Sequence, residues 1–156
     1  MRIQQTLAED HPSRLASQHA LAVAYNANGQ VKEAVTLLEE VVLIEGQTLA
    51  EDHPDRLASQ HALAGAYNAN GQVKEAVTLL EEVVWIRQTL AEDHPDRLTS
   101  QHNLATVFWK LGQHSTALKM MRHVVEIRKQ VLNHDHPDRI ASEGWLNVFE
   151  MNTPNL

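Results

Sequence analysis

The sequence predicts an all-α fold, an α-solenoid of antiparallel helix pairs, and three observations carry that expectation. Residues 15–42 and 57–84 are the same string, LASQHALAxAYNANGQVKEAVTLLEEVV, differing only where Val23 becomes Gly65. His-Pro pairs beginning at His11, His53, His94 and His136 recur at intervals of 42, 41 and 42 residues, within the range of stacked helical repeats. Apolar residues fall at helical spacing on either side of a Gly-containing turn in each unit. Repeats of this kind bury their apolar faces against one another and leave an extended surface for other molecules.

The elements follow in chain order. Residues 1–10 carry Ile3-Gln4-Gln5-Thr6-Leu7-Ala8, which matches the tail of a second helix (Ile86 to Ala91) and reads as a partial helix B. Three units follow, at 11–51, 52–92 and 93–134, and the second shows their logic. In Asp52-His53-Pro54-Asp55 a carboxylate is expected to cap the free amides of a first turn, with proline near the start, where its missing donor costs little. Leu57, Ala58, Ala62, Leu63, Ala66 and Tyr67 then define the apolar side of helix A, with small Ala64 where a second backbone can approach. Asn70-Gly71 ends it, since both residues tolerate the left-handed conformation. Helix B places Val73, Ala76, Val77, Leu80, Val83, Val84 and either Trp85 or Ile86 inside, with Lys74, Glu75, Glu81 and Glu82 in water. The short turn makes A and B an antiparallel hairpin. Leu43 and Trp85, which differ between the copies near the end of helix B, are read as packing residues. Gly46, an extra residue relative to the next unit, either kinks its helix or lengthens the turn. Residues 135–156 hold one A-like helix with Trp145, Leu146, Val148 and Phe149, read as a partial or capping repeat.

Composition narrows the function. With 43% hydrophobic residues the chain can fill a core, and it has no apolar run near the roughly 18 residues that cross a membrane. The N-terminus does not resemble a signal peptide. The absence of cysteine excludes disulfides, thiolate metal sites and a cysteine nucleophile and suits a reducing, cytoplasmic setting. A formal charge of −7, spread along the chain, argues against nucleic acid, whose phosphates call for a basic stripe. No GxSxG, HExxH or GxxxxGK[ST] motif is present, so neither an enzyme nor an NTPase is expected. Of the ten histidines, four are the repeated His-Pro and three the repeated His19, His61 and His102. Their number follows from duplication, and no metal or other cofactor is expected, the His134-x-His136 pair included.

Leu63-Ala64-x-x-Tyr67, Gly71, Ala76, Leu80 and Val83 resemble the tetratricopeptide (TPR) signature. Leu21, Ala22, Tyr25, Gly29, Ala34, Leu38 and Val41 repeat it, as do Leu104, Ala105, Phe108, Gly112, Ala117, Met121 and Val124. The 42-residue length and the Leu90-x-x-Asp93-His94-Pro95-Asp96 link are similar to the kinesin-light-chain type of TPR. The near-identical tandem copies resemble most the C-terminal arrays of fungal NOD-like receptor (NACHT/NB-ARC) proteins. Asn147 and Glu150 depart from the small and aromatic signature in the last unit.

That resemblance implies a right-handed superhelix whose A helices line a concave wall, and with it a set of binding positions: His19, His61 and His102; Val23, Gly65 and Thr106; Asn26, Asn68 and Trp109. Polar His and Asn can grip an extended peptide backbone, and a tryptophan is a common interface anchor. The alternative for these residues is solvation or contact between repeats. Val23, Gly65 and Thr106 are the variable position, which is where a ligand would be read or where drift has accumulated. The expected function is non-catalytic protein or peptide recognition, as the ligand-sensing array of a larger receptor. The competing expectation is self-assembly through the helical ends, with Ile3, Trp145 and Phe149 as candidates.

Overall fold

The computed structural model describes residues 8–153, and Ile3 therefore lies outside the described residues. Seven helices occur there and no strand: α1 (Pro12–Ala27), α2 (Val31–Thr48), α3 (Pro54–Ala69), α4 (Val73–Arg87), α5 (Pro95–Lys110), α6 (His114–Val131) and α7 (Pro137–Asn152). The odd-numbered helices are the A helices of the sequence reading and the even-numbered ones the B helices. The chain divides between Leu79 and Leu80 into two compact units.

Each A helix starts by one device, and it is not the expected carboxylate. The residue before a proline is held extended, and His53 has φ −62° and ψ 130°. From that position its imidazole Nδ1 accepts the backbone N–H of Asp55 at 3.1 Å. His11, His94 and His136 cap in the same way, accepting from Ser13, Asp96 and Asp138, each at 3.1 Å. The flanking aspartates lose the role because of register. Asp55 lies inside the first turn, where its charge favours the helix dipole but its side chain no longer precedes the free amides.

The first three A helices stop at their glycine turns, Asn28-Gly29, Asn70-Gly71 and Leu111-Gly112. Gly29, Gly71 and Gly112 hold positive φ values of 81°, 79° and 88°. Behind each, the next amide reaches back to the last turn of the helix: Gln30 to the Tyr25 carbonyl, Gln72 to Tyr67 and Gln113 to Phe108, at 2.8, 2.8 and 3.0 Å. This is the glycine-dependent Schellman closure, which satisfies carbonyls a helix end leaves open. An arginine then fastens each linker. Arg56, Arg97 and Arg139 donate through Nη1 to the carbonyls of Leu49, Leu90 and Leu132 at 3.0, 2.7 and 3.0 Å.

In the first unit α2 packs against both α1 and α3, around a core of Ala22, Ala34, Val35, Leu38, Leu63 and Ala66. Ala22, Ala34 and Ala66 are fully buried in it beside the larger Leu38 and Leu63. In the second unit α6 plays the central part between α5 and α7. Leu104, Phe108, Leu118, Met121, Val124 and Phe149 are buried there.

Three details differ from, or complete, the sequence reading. Leu43 and Trp85 are exposed, Trp85 at 65%, so neither is a packing residue, and Ile86 is the one that turns inward. Gly46 does not lengthen the turn, because α2 runs through it unbroken to Thr48. The 41-residue spacing is absorbed instead at the end of α4, where Gln88, Thr89 and Leu90 bond three residues back, to Trp85, Ile86 and Arg87. A tighter final turn takes up one missing residue. Finally, Glu150 stands where Tyr67 stands in the earlier unit, and its partner has changed with it. Tyr67 donates to Glu39 at 3.1 Å, whereas Glu150 accepts from Arg122 at 3.3 Å.

Candidate functional site

The nine positions expected to bind divide between the units, and each set is described within its own. In the first, α1 carries His19, Val23 and Asn26, and α3 carries His61, Gly65 and Asn68. Val23 is 49% exposed, Gly65 is exposed with open space where a Cβ would stand, and the histidines and asparagines are half-buried. Asn26 has a buried Oδ1 with no hydrogen-bond partner. In the second unit α5 carries His102, Thr106 and Trp109. The Thr106 hydroxyl is turned back on its own helix, donating to the Asn103 carbonyl at 2.7 Å.

Trp109 sits in a stack of rings. Its centroid lies 4.0 Å from that of His114 and 4.3 Å from that of Phe149, with interplanar angles of 23° and 8°. Trp145 adds a tilted contact with Phe149 at 5.9 Å. Phe149 is fully buried and offers no surface to a second copy, while Trp145 remains 39% exposed. Beside it on α7, Ile140, Val148 and Met151 are also exposed.

Two histidines of the candidate face do more than line it. His102 Nδ1 lies 3.0 Å from Ser142 Oγ on α7, and Arg128 of α6 donates to that same oxygen. A hydroxyl that accepts from a guanidinium has its proton free to donate onward, so the chain of bonds runs from Arg128 through Ser142 to His102, whose Nδ1 accepts. Burial, and next the Arg128 charge, push His102 down to about 4, against a smaller opposing pull from Asp138. Arg128 also donates to the Asp138 carbonyl at 2.9 Å.

His19 makes the corresponding contact with Ser59 of α3, at 3.2 Å, but the third member is Glu45. A hydrogen bond from Ser59 favours the charged form of that carboxylate, against the effect of burial. Glu45 is buried, at 4% exposure. Around it opens a cavity of about 500 Å³, lined by Asp10, His19, Thr48, His53, Asp55 and Ser59 among others. Sequence reading missed this triad, though position 45 signalled it as the acid standing where the later units have Arg87 and Arg128. Among the described residues no three His, Asp or Glu groups converge as metal ligands. No helix there is long and apolar enough to cross a membrane.

The tetratricopeptide repeat family model matches residues 13–88 and 55–130. The chain belongs to the tetratricopeptide repeat family. Among solved structures, the TPR chain is similar to the nearly identical TPR-like repeats of a putative kinesin light chain from Podosopora anserina. Identity is 54%, with 97% of this chain and 72% of that one covered and a TM-score of 0.82. A single-substitution variant of those repeats matches with the same identity and coverage and a TM-score of 0.84. BtubC (BKLC) from P. vanneervenii shares 16% identity over 90% of this chain and 57% of its own, with a TM-score of 0.80, a likeness of fold alone. No curated protein matches. TPR modules generally serve as non-catalytic interaction scaffolds, and the all-α repeat fold found here is of that kind.

Proposed function

We propose that this TPR array is a non-catalytic recognition module that holds an extended peptide of a partner protein against the exposed A-helix face that carries Val23 on α1 and Gly65 on α3. Val23 and Gly65 carry the reading: two copies otherwise identical over residues 15–42 and 57–84 differ at this one position, and it is exposed in both. An exposed position is free to be chosen by a ligand, and His19, Asn26, His61 and Asn68 beside it supply donors and acceptors for a peptide backbone. Within a larger NOD-like receptor of the cytoplasm the array would be the ligand-sensing part. Peptides selected from a random library on the intact chain should bind Val23→Glu with Asn68→Ala at least about tenfold more weakly. The circular dichroism spectrum should stay unchanged. Equal binding by this double variant would discard the reading.

A specific observation favours a second activity, self-association. Ile140, Trp145, Val148 and Met151 recur at helical spacing on α7 and are all exposed, Met151 at 81%. A helix with such an uncovered apolar stripe lowers its free energy by pairing.

A further inference from the structure

Position 45 is where the first unit reverses the charge of the others. The stretches Ile44-Glu45, Ile86-Arg87 and Ile127-Arg128 occupy equivalent places near the end of helix B. In the second unit each arginine reaches the first turn of the following A helix. Arg87 donates to the Asp96 carbonyl at 3.2 Å and to Ser100 Oγ. Arg128 donates to the Asp138 carbonyl at 2.9 Å and to Ser142 Oγ. The first unit keeps the matching residues, Asp55 and Ser59, and has Glu45 in place of the helix-B arginine.

What stands there is a buried carboxylate with work unfinished. Glu45 Oε2 is shielded from solvent and has no hydrogen-bond partner. Burial pushes the Glu45 carboxyl above its usual range, which the hydrogen bond from Ser59 opposes; Asp55 adds to the rise, while His53 and Arg56 reduce it. Arg56 Nη1 donates to the Leu49 carbonyl at 3.0 Å. The cavity of about 500 Å³ beside Glu45 brings two further carboxylates, Asp10 and Asp55, and two imidazoles, His19 and His53, to its wall. An unpaired buried acid is costly, and a cation that enters with its own donors removes the cost.

We propose that this cavity is a receptor for an arginine side chain of a basic peptide segment. The incoming guanidinium pairs with Glu45 and reaches toward the Asp55 carbonyl, in the place that Arg87 and Arg128 fill from within the chain. A planar guanidinium with five donors suits a carboxylate and a carbonyl together, whereas an ammonium is a point charge. A metal ion is disfavoured by the lack of three converging ligands among the described residues. His19 joins this cavity to the face proposed above, and the peptide character of the ligand rests on that proposal.

The test begins with N-acetyl-arginine methylamide, titrated into the intact chain by two-dimensional amide NMR, with the citrulline analogue as an uncharged match. Shifts should centre on Glu45, Ser59 and His19, and citrulline should bind about tenfold or more weakly. Glu45→Gln should weaken the arginine probe by a similar factor. Glu45→Arg, which supplies the guanidinium from within, should abolish binding and raise the melting temperature. Citrulline binding as well as arginine, or undiminished binding by Glu45→Arg, overturns the site. Probe binding without peptide capture by the A-helix face supports this site and removes that face as the groove. Captured peptides indifferent to Glu45→Gln, with no response to the probe, do the reverse.

Discussion

Gly65 sits inside α3 with nothing within 4 Å of a built Cβ, and it carries no positive φ. Glycine there adds backbone freedom to the unfolded chain without a compensating contact, so Gly65→Ala should stabilise the protein by about 1 kcal/mol in urea denaturation. The same substitution at Gly71, where φ is 79°, should destabilise it by about 1 kcal/mol, because a Cβ strains the left-handed turn. His102 sets a pH dependence. Its value near 4 in the fold lies below the ordinary 6.5, so the unfolded chain binds the proton more readily. The contribution is complete above pH 6.5 and is lost as pH falls toward 4. Chemical denaturation across that window should show stability dropping, and His102→Gln should flatten that part of the curve.

At the scale of the element, four A helices are started by one tripeptide geometry, His-Pro followed by an amide pointing back at the imidazole. A lost N-cap costs about 1 kcal/mol, and asparagine is a good cap. His53→Ala should therefore lower stability by about that amount, and His53→Asn should recover most of it, read as paired shifts in the urea midpoint. Helix B is less uniform. α2 and α6 each have 18 residues and α4 has 15, the difference being taken up by the tight turn through Leu90. The aromatic stack on α5 and α7 is likewise an element-level feature: Trp109 and Phe149 hold these helices together, which leaves Trp145 as the ring with exposed surface.

At the scale of the whole molecule, a chain of nearly identical repeats has stability built from its units and the interfaces between neighbours. Association would add to it in a concentration-dependent way. If the apolar stripe of α7 pairs two copies, light scattering on a sizing column should give a dimer or larger species that Trp145→Glu with Val148→Glu returns to monomer. A monomer at every concentration would remove the self-association reading. The formal charge of −7 belongs to this scale too, since an acidic molecule draws basic partners electrostatically. That agrees with an arginine entering the Glu45 cavity.

The repeat, the helix pairs, their glycine stops and the family were legible in the residues, because period, apolar spacing and turn chemistry are local properties of the chain. The difference between Val23 and Gly65 was equally plain in the sequence, the TPR resemblance marked the position as facing outside the helix pair, and it is exposed in both copies. Tertiary structure decided the rest. It handed the cap from aspartate to histidine, because register determines which side chain precedes the free amides. It turned Trp85 outward and buried Phe149, since both lie near the edge of an apolar stripe and only the neighbouring helix says which side is covered. Glu45, Ser59 and His19 lie on three helices, and no spacing along the chain brings them together. A lone acid in place of an arginine was written in the sequence, but the cavity that gives it meaning exists only once those helices pack.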